Sequence, residues 1–328
     1  MPIQQMLLGS SRKLIPAGQQ LWEGSSVQSA NWNVPADVTE ISAVAIGGGG
    51  NGSQGYVSTY VHGGTGGNGG NLVYSNGISV TPGETLSIVI APVTSQQSGS
   101  SAADGYDGGV SGIKRGSTWL LKAMGGAGGS RTRINATWNV WNNNSTGQSH
   151  NVGDTLNLGG LGGSRRAPTV NENFCGGGGA AGYSGGGGSG GVYVGGNISS
   201  AVSSGAGTGG GGSGGVPIDN GAGAGGGGVG LFGEGSSGAA VSITNPSTGS
   251  YWSFAARGNT EGNAGSGGVN GSSTPSNGDD GGAGGTCGGG AGGQKNMNRS
   301  NWGQGGFGGV RIIHGTGRAY PSTRTANE

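Results

Sequence analysis

Apolar and polar residues alternate only in short stretches of this chain, and each such stretch predicts a β-strand. The clearest is Glu40–Ile46 (EISAVAI), which ends at the first block of glycines. Residues 71–74 (NLVY) and 78–80 (ISV) are shorter and rich in branched or aromatic side chains. Strict alternation over four to eight residues is typical of a strand with one buried face.

A turn signal connects two of these stretches. Residues 81–84 read TPGE, in which proline presets the second position of a turn and glycine supplies a positive φ at the third. Because 86–90 (LSIVI) follows directly, we predict a hairpin with 78–80. Further strands are predicted at 119–123 (WLLKA) and 309–313 (GVRII). The spacing indicates an antiparallel β-sandwich, and we see no amphipathic helix of useful length.

Glycine dominates the rest of the chain. It accounts for 88 of 328 residues, over a quarter, where about 7% is usual. Blocks such as 176–179 and 225–228 contain no side chain, so they cannot fold by burying apolar surface. They must either stay disordered or be held by hydrogen bonds between backbones.

Glycine also recurs at every third position, for example at 182, 185, 188 and 191. A polyproline II-type helix has three residues per turn and rises about 3.1 Å per residue. Such a helix would present a bare face on which a neighbour can lie close. We therefore expect an all-β protein: a small antiparallel β-sandwich with long glycine-rich insertions packed as a polyglycine-II helix bundle, and essentially no α-helix.

This interpretation divides the chain into four parts. They are an N-terminal arm (1–18), a β-sandwich (19–125) that the strand 309–314 completes, a glycine-rich bundle with exposed loops (126–308) and a C-terminal tail (315–328). In residues 1–15 the basic residues follow the apolar patch. Secretory signals have the reverse order, so we expect the protein to be made in the cytoplasm.

Charge and reactive side chains exclude several functions. Fifteen Lys and Arg against fourteen Asp and Glu leave a net charge of +1, too little to favour nucleic acid. The histidines, His62, His150 and His314, lack metal-ligand spacing. We expect no catalytic residues, no metal and no cofactor.

Cys175 and Cys287 lie far apart in glycine-rich surroundings. A disulfide between them is geometrically possible, but we favour two buried thiols.

Two polar, aromatic segments stand out from the glycine-rich surroundings, 131–151 and 241–259. Aromatic rings beside Asn, Ser and Thr suit recognition of sugars or of loops on another protein. The alternative is that these rings pin down the glycine bundle or its ends, and both interpretations stay open. The candidate binding residues are Trp138, Trp141, Asn142, Asn143, Tyr251, Trp252 and Phe254.

The C-terminal residues 309–323 (GVRIIHGTGRAYPST) resemble the closing segment of many tailed-bacteriophage virion proteins. In those proteins a GGVRIIWG-type strand leads into a GRxFPST-type tail; here His314 replaces the Trp and Tyr320 the Phe. Residues 35–50 (PADVTEISAVAIGGGG) and 79–90 (SVTPGETLSIVI) resemble the glycine-rich domain of phage tail fibres and tail-tip proteins. The opening MPIQQMLLG is also similar to that group.

The resemblance implies a structural virion component in a tail fibre or tail tip. It is also similar to the adhesin caps of T-even-like phages, in which a polyglycine-II bundle carries loops that touch the host. The expected partners are other virion proteins and a host cell-surface glycan or outer-membrane protein, with several copies or a homotrimer per virion. The alternative is a purely architectural capsid, neck or baseplate component. An enzyme such as a depolymerase would need convergent carboxylates, which we do not find.

Overall fold

The computed structural model contains two antiparallel sheets and a bundle of glycine-rich segments, and no α-helix in the part of the chain that it describes. This confirms the predicted fold class. The described residues are 17–24, 29–54, 56–57, 61–62, 64–93, 104–130, 150–163, 175–192, 203–218, 222–241, 265–266, 268–272, 281–293 and 303–322.

The larger sheet has five strands in the order β1-β13-β3-β6-β10, and all neighbours are antiparallel. The strands are β1 (Gly18–Glu23), β3 (Glu40–Ile46), β6 (Leu72–Ser79), β10 (Thr155–Asn157) and β13 (Gly309–His314). The C-terminal strand β13 lies between β1 and β3, so residues from both ends of the described chain close this sheet.

The smaller sheet has four strands in the order β2-β7-β8-β9. They are β2 (Ser29–Asn33), β7 (Thr85–Val89), β8 (Ser111–Arg115) and β9 (Thr118–Ala123). Two short hairpins lie outside both sheets: β4 (Tyr56–Val57) with β5 (Val61–His62), and β11 (Pro217–Ile218) with β12 (Ala222–Gly223).

The two sheets enclose one hydrophobic core. On β3 the side chains of Ile41, Ala43 and Ala45 point into it, and Leu86 and Ile88 of β7 face them. Full burial of one such Leu or Ile side chain contributes about 1.5–3 kcal/mol. This packing makes the domain a sandwich of two sheets.

A second core covers the other face of the larger sheet. Val44 and Ile46 of β3 point into it and meet Ala180, Tyr183 and Leu231 from the glycine-rich part of the chain. β3 is therefore buried on both faces, and the larger sheet is the platform on which the glycine bundle rests. We call this junction the base.

The predicted hairpin between 78–80 and 86–90 is wrong. The turn itself forms, because Glu84 N donates to Thr81 O (3.0 Å) and Gly83 has a φ of +79°. However, β6 belongs to the larger sheet and β7 to the smaller one, so the turn carries the chain from one sheet to the other. The stretches 71–74 and 78–80 are parts of the single strand β6.

Hydrogen bonds of segment 47–54 show the glycine conformation. Successive N–H groups donate to three neighbouring segments in rotation, and every third donor returns to the same neighbour. A helix with three residues per turn produces this order. The neighbours are 64–71 (Gly47 to Asn71, Gly50 to Asn68, Ser53 to Thr65), 104–110 (Gly48 to Gly109, Asn51 to Tyr106) and 303–308 (Gly49 to Gly306, Gly52 to Gly303).

Two segments, 175–183 and 288–293, lie at the centre of the bundle, and each is hydrogen-bonded to six others. Segment 175–183 donates to 185–192, 222–230 and 64–71, and accepts from 158–163, 211–216 and 288–293. A Cβ atom on Gly178 would lie 2.1 Å from the carbonyl oxygen of Gly160. Side chains are excluded from this centre because neighbouring backbones are in contact.

The sandwich and the bundle interleave along the chain. Segments 47–54, 64–71 and 104–110 connect strands of the sandwich and join the same bundle as the later glycine segments. Conversely, β10 comes from the glycine-rich half and pairs with β6.

The C-terminal tail folds back onto the base. The Tyr320 ring packs between Tyr74 and Tyr183, with centroid distances of 6.0 and 5.9 Å. Asn76 Nδ2 donates to Tyr320 O (2.8 Å), and Tyr320 N donates to Asn76 Oδ1 (2.9 Å). Burial raises the pKa of the Tyr320 hydroxyl.

Arg311 of β13 is fully buried beside these tyrosines. Its Nε donates to Gln19 Oε1 (3.1 Å), its Nη1 donates to Leu231 O (3.2 Å), and its guanidinium lies 4.4 Å from the centroid of the Phe232 ring. Burial lowers the pKa of Arg311. Buried cations need such partners, so Arg311 ties β1 and the 230–233 turn to the centre of the larger sheet.

Candidate functional site

The bundle has two ends. Gly47 follows β3 directly and lies at the base, whereas Gln54 ends the same segment about 20 Å away, at a rise of about 3.1 Å per residue. We call the end marked by Gln54 the distal end. It lies opposite the sandwich.

Six stretches of the chain have both flanking residues at the distal end. Apart from the backbone of β4 and β5, these stretches lie outside the described residues. They are 55–63, 164–174, 193–202, 219–221, 273–280 and 294–302.

Hydrogen bonds link the flanks of these stretches into one layer. Gly163 N donates to Gly176 O (2.8 Å), Gly293 N to Cys175 O (3.0 Å) and Gly223 N to Gly293 O (2.8 Å). Three further donations extend the layer: Ser53 N to Thr65 O, Gly66 N to Gly163 O, and Gly282 N to Gly223 O. The bundle thus holds the residues that flank these stretches at fixed positions on one surface.

Hydroxyl groups reinforce this layer beside the 55–63 stretch. Thr65 N donates to Ser53 Oγ (2.8 Å), and Thr65 Oγ1 and Ser53 Oγ both donate to Ser130 O (2.9 and 3.2 Å). Ser130 is the last described residue before 131–149. These bonds fix the point where one of the predicted binding segments leaves the bundle.

Asparagine amides replace backbone acceptors along segment 64–71. Asn68 Oδ1 accepts from Gly162 N (2.8 Å), and one helical turn away Asn71 Oδ1 accepts from Gly159 N (3.2 Å). These anchoring residues were not among the predicted functional residues. Their signal is the three-residue spacing of Thr65, Asn68 and Asn71 within glycine, which matches the period of the helix.

The seven candidate binding residues lie outside the described residues, in 131–149 and 242–264. Each of these two segments starts at the distal end and rejoins the described chain near the base. For 131–149, Ser130 lies in the distal layer and Val152 pairs with Lys122 of β9. For 242–264, the carbonyl oxygen of Val241 accepts from Ser204 N at one flank, and Gly265 N donates to Gly228 O at the other. The predicted binding role of the seven residues stays a prediction.

Both cysteines are buried, and neither forms a disulfide. Cys175 lies in the distal layer and Cys287 at the base, about 19 Å apart at the rise of this helix type. A disulfide needs Cα atoms within about 7 Å, so these residues do not form one. Burial raises the pKa of the Cys287 thiol well above its usual range, and the nearby Glu23 carboxylate makes a smaller contribution in the same direction.

Within the described ranges, no three His, Cys, Asp or Glu side chains are placed so that they could hold a metal ion. Those same ranges contain no helix that is long and apolar enough to cross a membrane. No known protein family and no curated protein matches this chain. The likeness to phage tail proteins therefore stays a prediction based on the motifs quoted above.

Proposed function

We propose that the chain is a bacteriophage virion protein of the tail fibre or tail tip, and that it acts as an adhesin. The sandwich would attach it to other virion proteins, and the distal end would face the host. The convergence of six stretches on the distal end carries this proposal. Together with the sequence motifs, it favours a protein whose bundle is a support for loops.

The physical advantage is preorganisation. A loop whose two ends are already fixed by hydrogen bonds loses less conformational freedom when it contacts a ligand, and this favours affinity. Several copies on one virion would add avidity even where each contact is weak. The function is binding without covalent chemistry, and the expected ligand is a host cell-surface glycan or outer-membrane protein.

Competition for adsorption tests the proposal. Purified full-length protein is added to host cells before the phage, and the adsorption rate is measured. Wild-type protein should slow adsorption, and a variant with Trp138, Trp141, Tyr251 and Trp252 changed to Ala should need at least about ten times the concentration, as expected when aromatic contacts are lost. Phe232→Leu removes an exposed ring that contacts Arg311, outside both predicted binding segments, and this control should compete like the wild type.

Two results would redirect the proposal. If wild-type protein neither binds the host nor slows adsorption, while antibody labelling finds it in the neck, capsid or baseplate, the architectural alternative is correct. If the four-residue variant melts like the wild type and competes equally well, these rings do not form the binding surface.

A further inference from the structure

The outer face of the smaller sheet carries an ordered row of polar side chains. Asn31 of β2 pairs with Ser87 of β7, Ser87 with Lys114 of β8, and Lys114 with Trp119 of β9. The row crosses all four strands, about 14 Å at the usual strand spacing. We call Asn31, Ser87, Lys114 and Trp119, together with Lys122 of β9, the lysine face.

Two ammonium groups meet over one indole ring on this face. Lys114 Nζ lies 4.3 Å and Lys122 Nζ 5.5 Å from the centroid of the Trp119 ring. The two charges are therefore at most about 10 Å apart, a separation comparable to the screening length at 0.1 M salt. The ring attracts each cation and holds the pair together against its mutual repulsion.

Among the described residues no carboxylate forms an ion pair with Lys114 or Lys122. The neighbouring Arg115 differs, because its guanidinium binds Glu84 through two donors (2.8 and 2.9 Å) and is neutralised. The lysine pair thus keeps its positive charge available to a ligand, although the net charge of the whole chain is only +1.

The opposite side of the face supplies neutral donors. Thr85 Oγ1 donates to Asn33 Oδ1 (2.7 Å), and Ser87 Oγ lies 3.5 Å from Asn31 Oδ1. Both amide oxygens are turned towards hydroxyls of β7, so both amide NH2 groups are presented as donors. Asn31 and Asn33 are exposed, while Lys114 and Trp119 are half-buried.

We propose that the lysine face binds an acidic polysaccharide. Carboxylate or phosphate groups of the sugar chain would pair with Lys114 and Lys122, and its hydroxyl oxygens would accept from the amides of Asn31 and Asn33. Charge complementarity favours an anion, and the neutral donors beside the lysines favour a ligand rich in hydroxyls.

Nucleic acid fits this face less well. Single strands bind through a charged groove with several aromatic rings on which bases stack, whereas Trp119 is the one ring of the row and cations already contact it. The face lies on the sandwich, at the other end of the molecule from the distal end. Ligand binding there does not rest on the proposed function.

Affinity electrophoresis of the full chain tests the proposal. Gels contain polygalacturonate, uncharged dextran or poly-glutamate at low salt. We expect polygalacturonate to retard the wild type and dextran to leave it unaffected. Lys114→Gln/Lys122→Gln should raise the apparent dissociation constant for polygalacturonate at least about ten-fold, since both ion pairs are lost.

The matched control, Lys295→Gln/Arg299→Gln, removes the same charge from 294–302, whose flanks lie at the distal end. It should bind polygalacturonate like the wild type. Trp119→Phe should retain binding because a ring remains, while Trp119→Leu should weaken it at unchanged net charge. Circular dichroism melting of each variant checks that the sandwich is folded.

Four results would overturn the proposal. The first is that polygalacturonate does not retard the wild type, and the second is that the control variant loses as much binding as the lysine variant. The third is equal retardation by poly-glutamate, which would show that charge alone is recognised. The fourth is tighter binding of a single-stranded DNA oligonucleotide, which would identify a nucleic-acid surface.

Discussion

The carbonyl oxygen of Gly178 lies 2.1 Å from the point that a Cβ atom on Gly226 would occupy. Gly226 N also donates to Gly290 O (2.8 Å), and Gly290 N donates to Gly178 O (2.8 Å). Three backbones therefore meet at one point with no side chain between them. Hydrogen bonds and close backbone contact, rather than apolar side chains, hold the centre of the bundle together.

Replacement of Gly226 by Ala should be strongly destabilising. An added methyl must push neighbouring segments apart and break their hydrogen bonds, and overpacking of this kind costs about 1–3 kcal/mol and occasionally more. The matched control is Gly186→Ala, whose Cβ would approach only the carbonyl oxygen of Leu158, at 3.2 Å. It should change the unfolding free energy by less than about 1 kcal/mol.

Urea unfolding followed by circular dichroism measures the difference. If Gly226→Ala does not fold, the fraction of soluble protein in the two variants, expressed in parallel, gives the same comparison. Equal stability of the two alanine variants would mean that the bundle is not close-packed in solution.

Amide hydrogen exchange should be slow in the central segments. The N–H groups of Gly178 and Gly290 are hydrogen-bonded and buried inside the bundle. We expect protection more than about a thousand-fold above that of a free peptide, as in the interior of a stable sheet. Peptides covering 176–183 and 288–293 should therefore exchange as slowly as β3. Exchange of these peptides within seconds would contradict a rigid bundle.

The strands were predictable where apolar and polar side chains alternate. They were less predictable where the partner of a strand depends on the rest of the fold. Glu40–Ile46 coincides with β3 because its apolar residues fill two cores. The sequence did not predict that Thr81 to Glu84 crosses between sheets, since a turn signal fixes local geometry and not the partner of the next strand. β1 and β2 carry polar residues typical of edge strands, and their apolar pattern is weak.

The glycine period predicted the helix type, but not which helices are neighbours. Neighbour choice depends on registers between backbones, such as Gly178 with Gly67, and glycine carries no side chain that would encode them. The lysine face was equally hidden, because Lys114, Trp119 and Lys122 look ordinary in sequence and meet only through the bulged pairing of β8 with β9.

Both thiols should react only after unfolding. Cys175 and Cys287 are buried and form no disulfide, and burial raises the pKa of Cys287, which disfavours its reactive thiolate. Labelling with a maleimide under native conditions should leave the mass unchanged, whereas in denaturant without reductant two labels should be added. A mass lacking both labels in denaturant would reveal a disulfide and contradict the separation of the two residues.

Tyr320 should make stability fall at alkaline pH. Burial raises the pKa of its hydroxyl above the value of about 10 in an unfolded chain. Below pH 10 both states keep the proton, and the stabilising effect of this neutral group is fully present. Above pH 10 the unfolded state loses the proton first, so the free energy of unfolding falls by about 1.4 kcal/mol per pH unit until the folded-state pKa is reached.

The Tyr320→Phe variant removes this dependence. The buried hydroxyl forms no hydrogen bond of regular geometry with the described residues, so the substitution should change stability at pH 8 by less than about 1 kcal/mol. At pH 11 the variant should exceed the wild type by about 1.4 kcal/mol. Tyr183, whose pKa is also raised, first by burial, is retained in both proteins, so some alkaline loss of stability remains in the variant. Urea unfolding between pH 8 and 11.5 measures the two slopes, and parallel slopes would mean that the Tyr320 hydroxyl reaches solvent in the folded protein.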